Sequence, residues 1–269
     1  MQQQIGNTLY GCYKGAWVNL GAENTERYLS NEECRQLLRK KGFMVRNVYD
    51  FDCGVPTGFW YVIKDHFGGM DEYNGKMRNQ VRRSMTHYSF RLIGREELQA
   101  HGYDILCRAV GRYRVKADIP SREDYLDSLE HSVENEYWGA FDQENGTMVA
   151  YALNQVFTDS CNYSVMKADP QAMKNYVYYG LIHTMNAYYL QQRGMRYVND
   201  GARSITEHSN IQPFLIEKYH FRKAYCHLRL YYRMPIRFMV QLLYPLRRYL
   251  PSRNIRAILM QEEMARIAK

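Results

Sequence analysis

Apolar and polar positions recur with two different periods along this chain, and the change of period marks out its elements. Residues 161–166 and 195–199 are two β-rich runs, and between them apolar positions return every three to four residues. Val177, Leu181, Thr184 and Tyr188 form one stripe, and Tyr178, Ile182, Met185 and Tyr189 a second beside it. Together they predict a helix over 170–193 with a broad buried face. Pro170 is tolerated in a first helical turn, and Gly194 suits a left-handed helix end. Strand, long helix and strand predict a right-handed crossover between parallel strands. Ligands of open α/β sheets sit beyond the carboxyl ends of such strands. That edge carries Lys167 and Asp169 after the first strand, and Asn199, Asp200, Gly201, Ala202, Arg203 and Ser204 after the second.

The rest of the chain reads in the same way. Residues 8–20 predict two short strands around Lys14 and Gly15. A helix over 31–41 follows, with Asn31 as its N-cap and Gly42 as its terminator. Residues 43–48 and 59–63 are strands separated by the turn-prone Gly54, Pro56 and Gly58. A basic helix over 76–86, a strand over 88–93 and helices over 96–112 and 122–132 come next, the last capped by Ser121. Residues 137–142 and 147–157 form a hairpin around Asn145 and Gly146. A helix over 211–220, capped by Ser209 or Asn210, precedes a long strand over 222–232. The units expected are an N-terminal α+β unit (1–73), a connector helix (74–87), a mixed-sheet α/β domain (88–233) and a helical tail (234–269).

Charge changes the picture only at the tail. The net charge is +8. Residues 222–269 hold eleven Lys and Arg against Glu262 and Glu263, a net of +9, which leaves −1 for residues 1–221. Ile236, Met239, Val240, Leu243, Leu246 and Leu250 give the tail an apolar stripe, split by Pro245. Such a segment suits packing on the protein itself, a homodimer or contact with an anionic membrane surface. Residues 74–95 hold six Lys and Arg and no acid, which suits either a polyanion groove or a solvated helix face. Six scattered cysteines without a CxxC pair, and eight histidines without metal-ligand spacing, predict a reduced chain without a metal. No run of about 18 apolar residues occurs, and the N-terminus lacks a signal-peptide pattern. The expected location is cytoplasmic, with contact to the inner membrane face left open.

The residues Asn210, Ile211, Gln212, Pro213, Phe214, Leu215, Ile216, Glu217, Lys218, Tyr219, His220 and Phe221 resemble the helix that GNAT acyltransferases carry after their fifth strand. The element order from 88 to 233 is similar to theirs as well. Met77-Arg78-Asn79-Gln80-Val81-Arg82-Arg83-Ser84 resembles the connector of the Fem-type branch, whose members carry two GNAT-like units, the first degenerate. The resemblance implies transfer of an acyl or aminoacyl group to an amine of a cell-envelope or glycan precursor, from acyl-CoA or aminoacyl-tRNA. It implies that backbone N–H groups around Tyr163, Ser164 and Val165 polarise the donor carbonyl, with Lys167, Lys174 and Asn210 near the donor.

The chain departs from the GNAT pattern at two places. Asp169-Pro170-Gln171-Ala172-Met173-Lys174 stands where CoA-dependent members have a glycine-rich turn, whose backbone N–H groups hold the pyrophosphate. The position of the usual proton-donating tyrosine falls on Ile216, with Tyr219 three residues further on.

Candidate acids and bases are therefore Glu136, at the start of a central strand, Asp200 and Tyr219. Asn199, Arg203 and Ser204 are candidate substrate ligands, Arg203 for a carboxylate or phosphate. The same residues also read as turn chemistry, with Ser204 and Glu207 as a capping box. No Cys or Ser stands in a recognisable setting with a His and an acid, so transfer by direct attack is expected. A binding module without transfer chemistry and a nucleic-acid-binding protein are the two other readings that remain open.

Overall fold

The computed structural model describes residues 1–111, 119–204, 211–247 and 249–267. The chain forms two compact units, each discontinuous in sequence. One comprises Met1–Val62, Ala202–Pro213 and Arg222–Lys269, and the other Ile63–Gly201 and Phe214–Phe221.

In the first unit the strands are β1 (Gln2–Ile5), β2 (Thr8–Tyr13), β3 (Ala16–Asn19), β4 (Met44–Tyr49), β5 (Phe59–Lys64, to Val62 here) and β11 (Arg222–Tyr232), in the order β1-β2-β3-β4-β11-β5. β3 and β4 are parallel, and β11 runs antiparallel to β4 with Arg229 opposite Asn47. The helix α1 (Asn31–Lys40) lays Cys34, Leu37 and Leu38 on Tyr10, Trp17 and Val45. Its N-cap is Ser30 rather than Asn31. The Ser30 hydroxyl accepts the Glu33 amide, and the Glu33 carboxylate accepts the Ser30 amide, a reciprocal box that Asn31 cannot make from inside the helix.

The expected 88–233 domain loses its last strand to this unit. β11 alternates along its length, burying Ala224, Cys226 and Leu228 on one face while Tyr225, His227 and Arg229 on the other are half-buried, and packs with β4 and β5. The tail splits at Pro245 into α7 (Met234–Leu243) and α8 (Arg253–Arg266), joined through a 3-10 turn. Val240 of α7 and Leu259 of α8 bury against Met44 and Tyr232. Met264 seals Val48, Phe59 and Leu228.

The second unit is a five-stranded sheet of β6 (Tyr88–Ile93), β7 (Glu136–Asp142), β8 (Met148–Val156), β9 (Ser160–Ala168) and β10 (Tyr197–Ala202, to Gly201 here), in the order β10-β9-β8-β7-β6. Only β9 and β10 are parallel, as the crossover pattern predicts. One face is covered by α3 (Arg95–Val110) and α4 (Arg122–Glu130), through Leu98, Ile105, Tyr125 and Leu129. Ser121 caps α4 by accepting the Asp124 amide at 3.0 Å. The helices α2 (Gly75–His87) and α5 (Val177–Asn186) meet at Gly180, whose amide donates to Ser84 Oγ at 3.2 Å. A Cβ on Gly180 would lie 2.3 Å from the end of the Phe90 ring, so any larger residue would have to displace that ring.

The helix expected over 170–193 is three segments. A 3-10 turn at Ala172–Asn175 leads into Tyr176 in the left-handed region (φ 61°), then α5, then a π-helical stretch at Ala187–Gln192. Tyr176 stops the first turn without a glycine, so no composition signal marks the break. The π stretch closes with Arg193 N donating to the Tyr188 carbonyl at 2.9 Å.

Candidate functional site

β9 and β10 pair over three residues only, from Ser160 opposite Tyr197 to Asn162 opposite Asn199. At the last pair Asn199 Nδ2 donates to Asn162 Oδ1 at 3.1 Å, and Asn199 Oδ1 accepts the Gly201 amide at 2.8 Å. Gly201 has φ +99°, a conformation that favours glycine. Asn199 is thus fully buried and turns the chain out of register. Immediately beyond, β9 carries a bulge. Leu153 faces Val165 and Asn154 faces Tyr163, so Ser164 has no counterpart on β8. A bulge re-aims local backbone groups, and Ser164 is exposed there. Tyr163, Ser164 and Val165 therefore stand together at the point where the two parallel strands part.

The turn that follows β9 uses its own polar groups. Asp169 pairs with Arg108 at 2.6 Å and accepts the Gln171 amide at 2.8 Å. The Ala172, Lys174 and Tyr176 amides donate to Asp169, Gln171 and Met173 carbonyls. These N–H groups are engaged within the turn, unlike the open set that a pyrophosphate requires. Lys174 is exposed, and Arg83 of α2 binds Asn175 Oδ1 at 2.9 Å.

Behind the parting strands lies a buried cluster of hydroxyls and amides. Tyr163 donates to Asn186 Oδ1 at 2.9 Å. Tyr189, from the π stretch, accepts from Trp138 Nε1 at 3.0 Å and Asn154 Nδ2 at 3.1 Å, and donates to Glu136 Oε2 at 3.0 Å. Arg193 holds the other oxygen of Glu136. Tyr219 is fully buried, donates to the Tyr179 carbonyl at 2.8 Å and meets Tyr73 edge-on at 5.8 Å. Burial pushes the Tyr163 and Tyr219 phenols well above their ordinary value, and lowers His183, whose Nδ1 is 3.2 Å from the Tyr73 hydroxyl. His183 is thus a packed, neutral imidazole. Lys64 is also buried, bound to Glu72 at 3.1 Å and to the Tyr219 carbonyl at 2.8 Å. Burial lowers its pKa against the opposing pull of the Glu72 carboxylate.

FemX is similar in fold at a TM-score of 0.53 and 10% identity, over 81% of each chain. The L-PGS from Bacillus licheniformis is similar at 0.53 and 13% identity, over 96% of this chain and 85% of that one. The chain shares the fold of these two structures. No protein-family model matches it, and no curated protein is similar to it in sequence.

Within this fold the remaining candidates separate. Asp200 and Lys167 are half-buried and engaged in interactions. Arg203 and Ser204 belong to the first unit, where Arg203 Nη1 donates to the Gly58 carbonyl at 2.7 Å and its guanidinium lies 4.3 Å over Trp60. Burial lowers the Arg203 pKa. Asn210, Ser209 and Glu207 lie outside the described residues. On the connector helix, Met77, Val81 and Ser84 are buried while Lys76, Arg82 and Arg83 are exposed, and Arg91 of β6 is paired with Glu97 at 2.5 Å.

Sequence reasoning missed the Lys64–Glu72 pair and the Tyr189 hub, because a lone Lys on a strand and one Tyr among 25 carry no spacing signal. It also missed a cleft of about 760 Å³ in the first unit, lined by Tyr28, Tyr49, His227, Arg229 and Arg237 among others. Arg229 there is braced by Asn31 Oδ1 at 2.5 Å and lies 4.6 Å over Tyr28. Glu262, the acid of this cleft, is taken by Tyr232 at 3.0 Å and by Arg266 at 3.0 Å.

Proposed function

We propose that this protein is an acyltransferase that passes an acyl or aminoacyl group directly to an amine where β9 and β10 part. The observation that carries the reading is the Ser164 bulge, set two residues beyond the end of the β9–β10 register. The amine nitrogen attacks the donor carbonyl carbon, and a C–N bond forms. Backbone N–H groups at the bulge stabilise the charge that develops on the carbonyl oxygen. The bond to the leaving thiolate or alkoxide then breaks, and the proton lost by nitrogen balances the one the leaving group gains. Of the two donor classes, the engaged amides of the 169–176 turn favour an ester-linked aminoacyl group over CoA. The acceptor class that the Fem-type resemblance suggests is an amine of a cell-envelope or glycan precursor.

The test compares two substitutions at one exposed position, with aminoacyl-tRNAs and acyl-CoAs offered in parallel. Ser164→Ala keeps the backbone donor and is expected to leave the transfer rate within about threefold. Ser164→Pro removes the N–H and is expected to lower it by about 10²–10³-fold. Equal rates for both variants would overturn the assignment. A second reading, a binding module without transfer, is favoured by the Tyr219 hydroxyl being committed to the Tyr179 carbonyl. Donor binding without turnover in the unaltered protein would select it.

A further inference from the structure

The tail buries one side of α7 and leaves the other bare. Val240 is 7% exposed and packs with Ile236 and Leu243 on the first unit's core. On the opposite side Met234, Phe238 and Leu242 recur at four-residue spacing, with Met239 beside them, and are 60%, 61%, 77% and 53% exposed. Leu246 and Tyr249 continue the row at 53% and 84%. Large apolar side chains grouped in this way are costly in water and mark an interaction surface.

Charge says what covers it. Residues 222–261 hold nine Lys and Arg and no Asp or Glu. Arg233 and Arg237, each next in sequence to a member of the apolar row, are exposed, as is Arg256 of α8. A second copy of the chain would bring this basic surface against itself, a like-charge approach that opposes pairing. A nucleic acid would use the arginines and leave the apolar row in water. An anionic bilayer uses both, apolar side chains entering the interface while arginines meet the headgroups. No helix among the described residues is long and apolar enough to cross a membrane, so the contact is one of surface docking.

We propose that α7 and the turn after it dock the protein on an anionic lipid surface, with Phe238 and Leu242 inserted. This inference rests on the tail alone and stands or falls apart from the transfer reaction. The experiment sediments the full chain with phosphatidylcholine vesicles, with and without about one third phosphatidylglycerol, and compares Phe238→Asp/Leu242→Asp. The expected result is binding at least about tenfold tighter to the anionic vesicles, weakened by salt and lost in the variant, whose melting temperature is unchanged. Three results would overturn it: no preference for anionic vesicles, undiminished binding by the variant, or a lipid-free dimer that the variant disperses. The last would make a second copy the occupant.

Discussion

Asn199 donates its side-chain amide to Asn162 at the last register pair of β10 and β9, and its carbonyl oxygen holds the Gly201 amide. One buried side chain thus decides where the strands stop pairing. Asn199→Ala leaves both partners without their bond and is expected to cost about 1–3 kcal/mol. Urea unfolding measures this, and transfer activity should fall with it, because the opening beside Ser164 loses its corner.

Tyr219 gives its proton to a carbonyl oxygen inside the unit, and burial raises its pKa well above the ordinary phenol value. It therefore holds its proton in the resting protein. Tyr219→Phe is expected to lower stability by about 1 kcal/mol and to change the transfer rate by less than about threefold. A loss of 10² or more would instead mark it as the general acid.

Glu26 supplies a pH dependence. The residue is 8% exposed, its carboxyl group accepts the Val48 amide at 3.1 Å and Asn47 Nδ2 at 3.2 Å, and burial raises its pKa from 4.5 to about 7. Between those values the unfolded chain has released a proton that the native chain still holds, so rising pH favours unfolding. Below about 4.5 the contribution is flat, and above about 7 both states are ionised and the penalty is complete. The native state should lose on the order of 3 kcal/mol across the window. Glu26→Gln should remove this slope from a series of denaturation curves between pH 4 and 8.

Gly58, just before β5, lies close against α8. A Cβ there would lie 2.2 Å from the Met264 carbonyl oxygen, a backbone atom that cannot swing aside. Gly58→Ala is expected to displace α8 and cost about 1–3 kcal/mol. Amide exchange should quicken through α8 and leave the strands β7 to β9 protected.

Elements with local punctuation were legible in the sequence. Residues 88–93 and 222–232 match β6 and β11, and Ser121 caps α4 as read. The Tyr176 break, the Ser164 bulge and the partner of β11 were not legible, for three physical reasons. Tyr176 takes a left-handed conformation that usually announces itself as Gly or Asn. The bulge inserts a serine where nothing but register distinguishes it. Strand pairing is a long-range choice, and a strand with one buried face such as β11 is compatible with either sheet. At the candidate site, the positions Tyr163 to Val165 could be named from the resemblance, but the engagement of Glu136 by Tyr189 and Arg193 depends on a helix widened to π geometry.

The pairing of β4 with β11 has a consequence for how the chain is made. Asn47 faces Arg229 across some 180 residues, and at ribosomal rates of about 5–20 residues per second the first waits roughly ten to thirty-five seconds for the second. During that interval the second unit's sheet can form from contiguous chain, while the amino-terminal strands emerge early and finish last. Until β11 is made, the β4 edge that it pairs with is exposed, which makes the first unit the slower of the two to complete and the more open to chaperone capture.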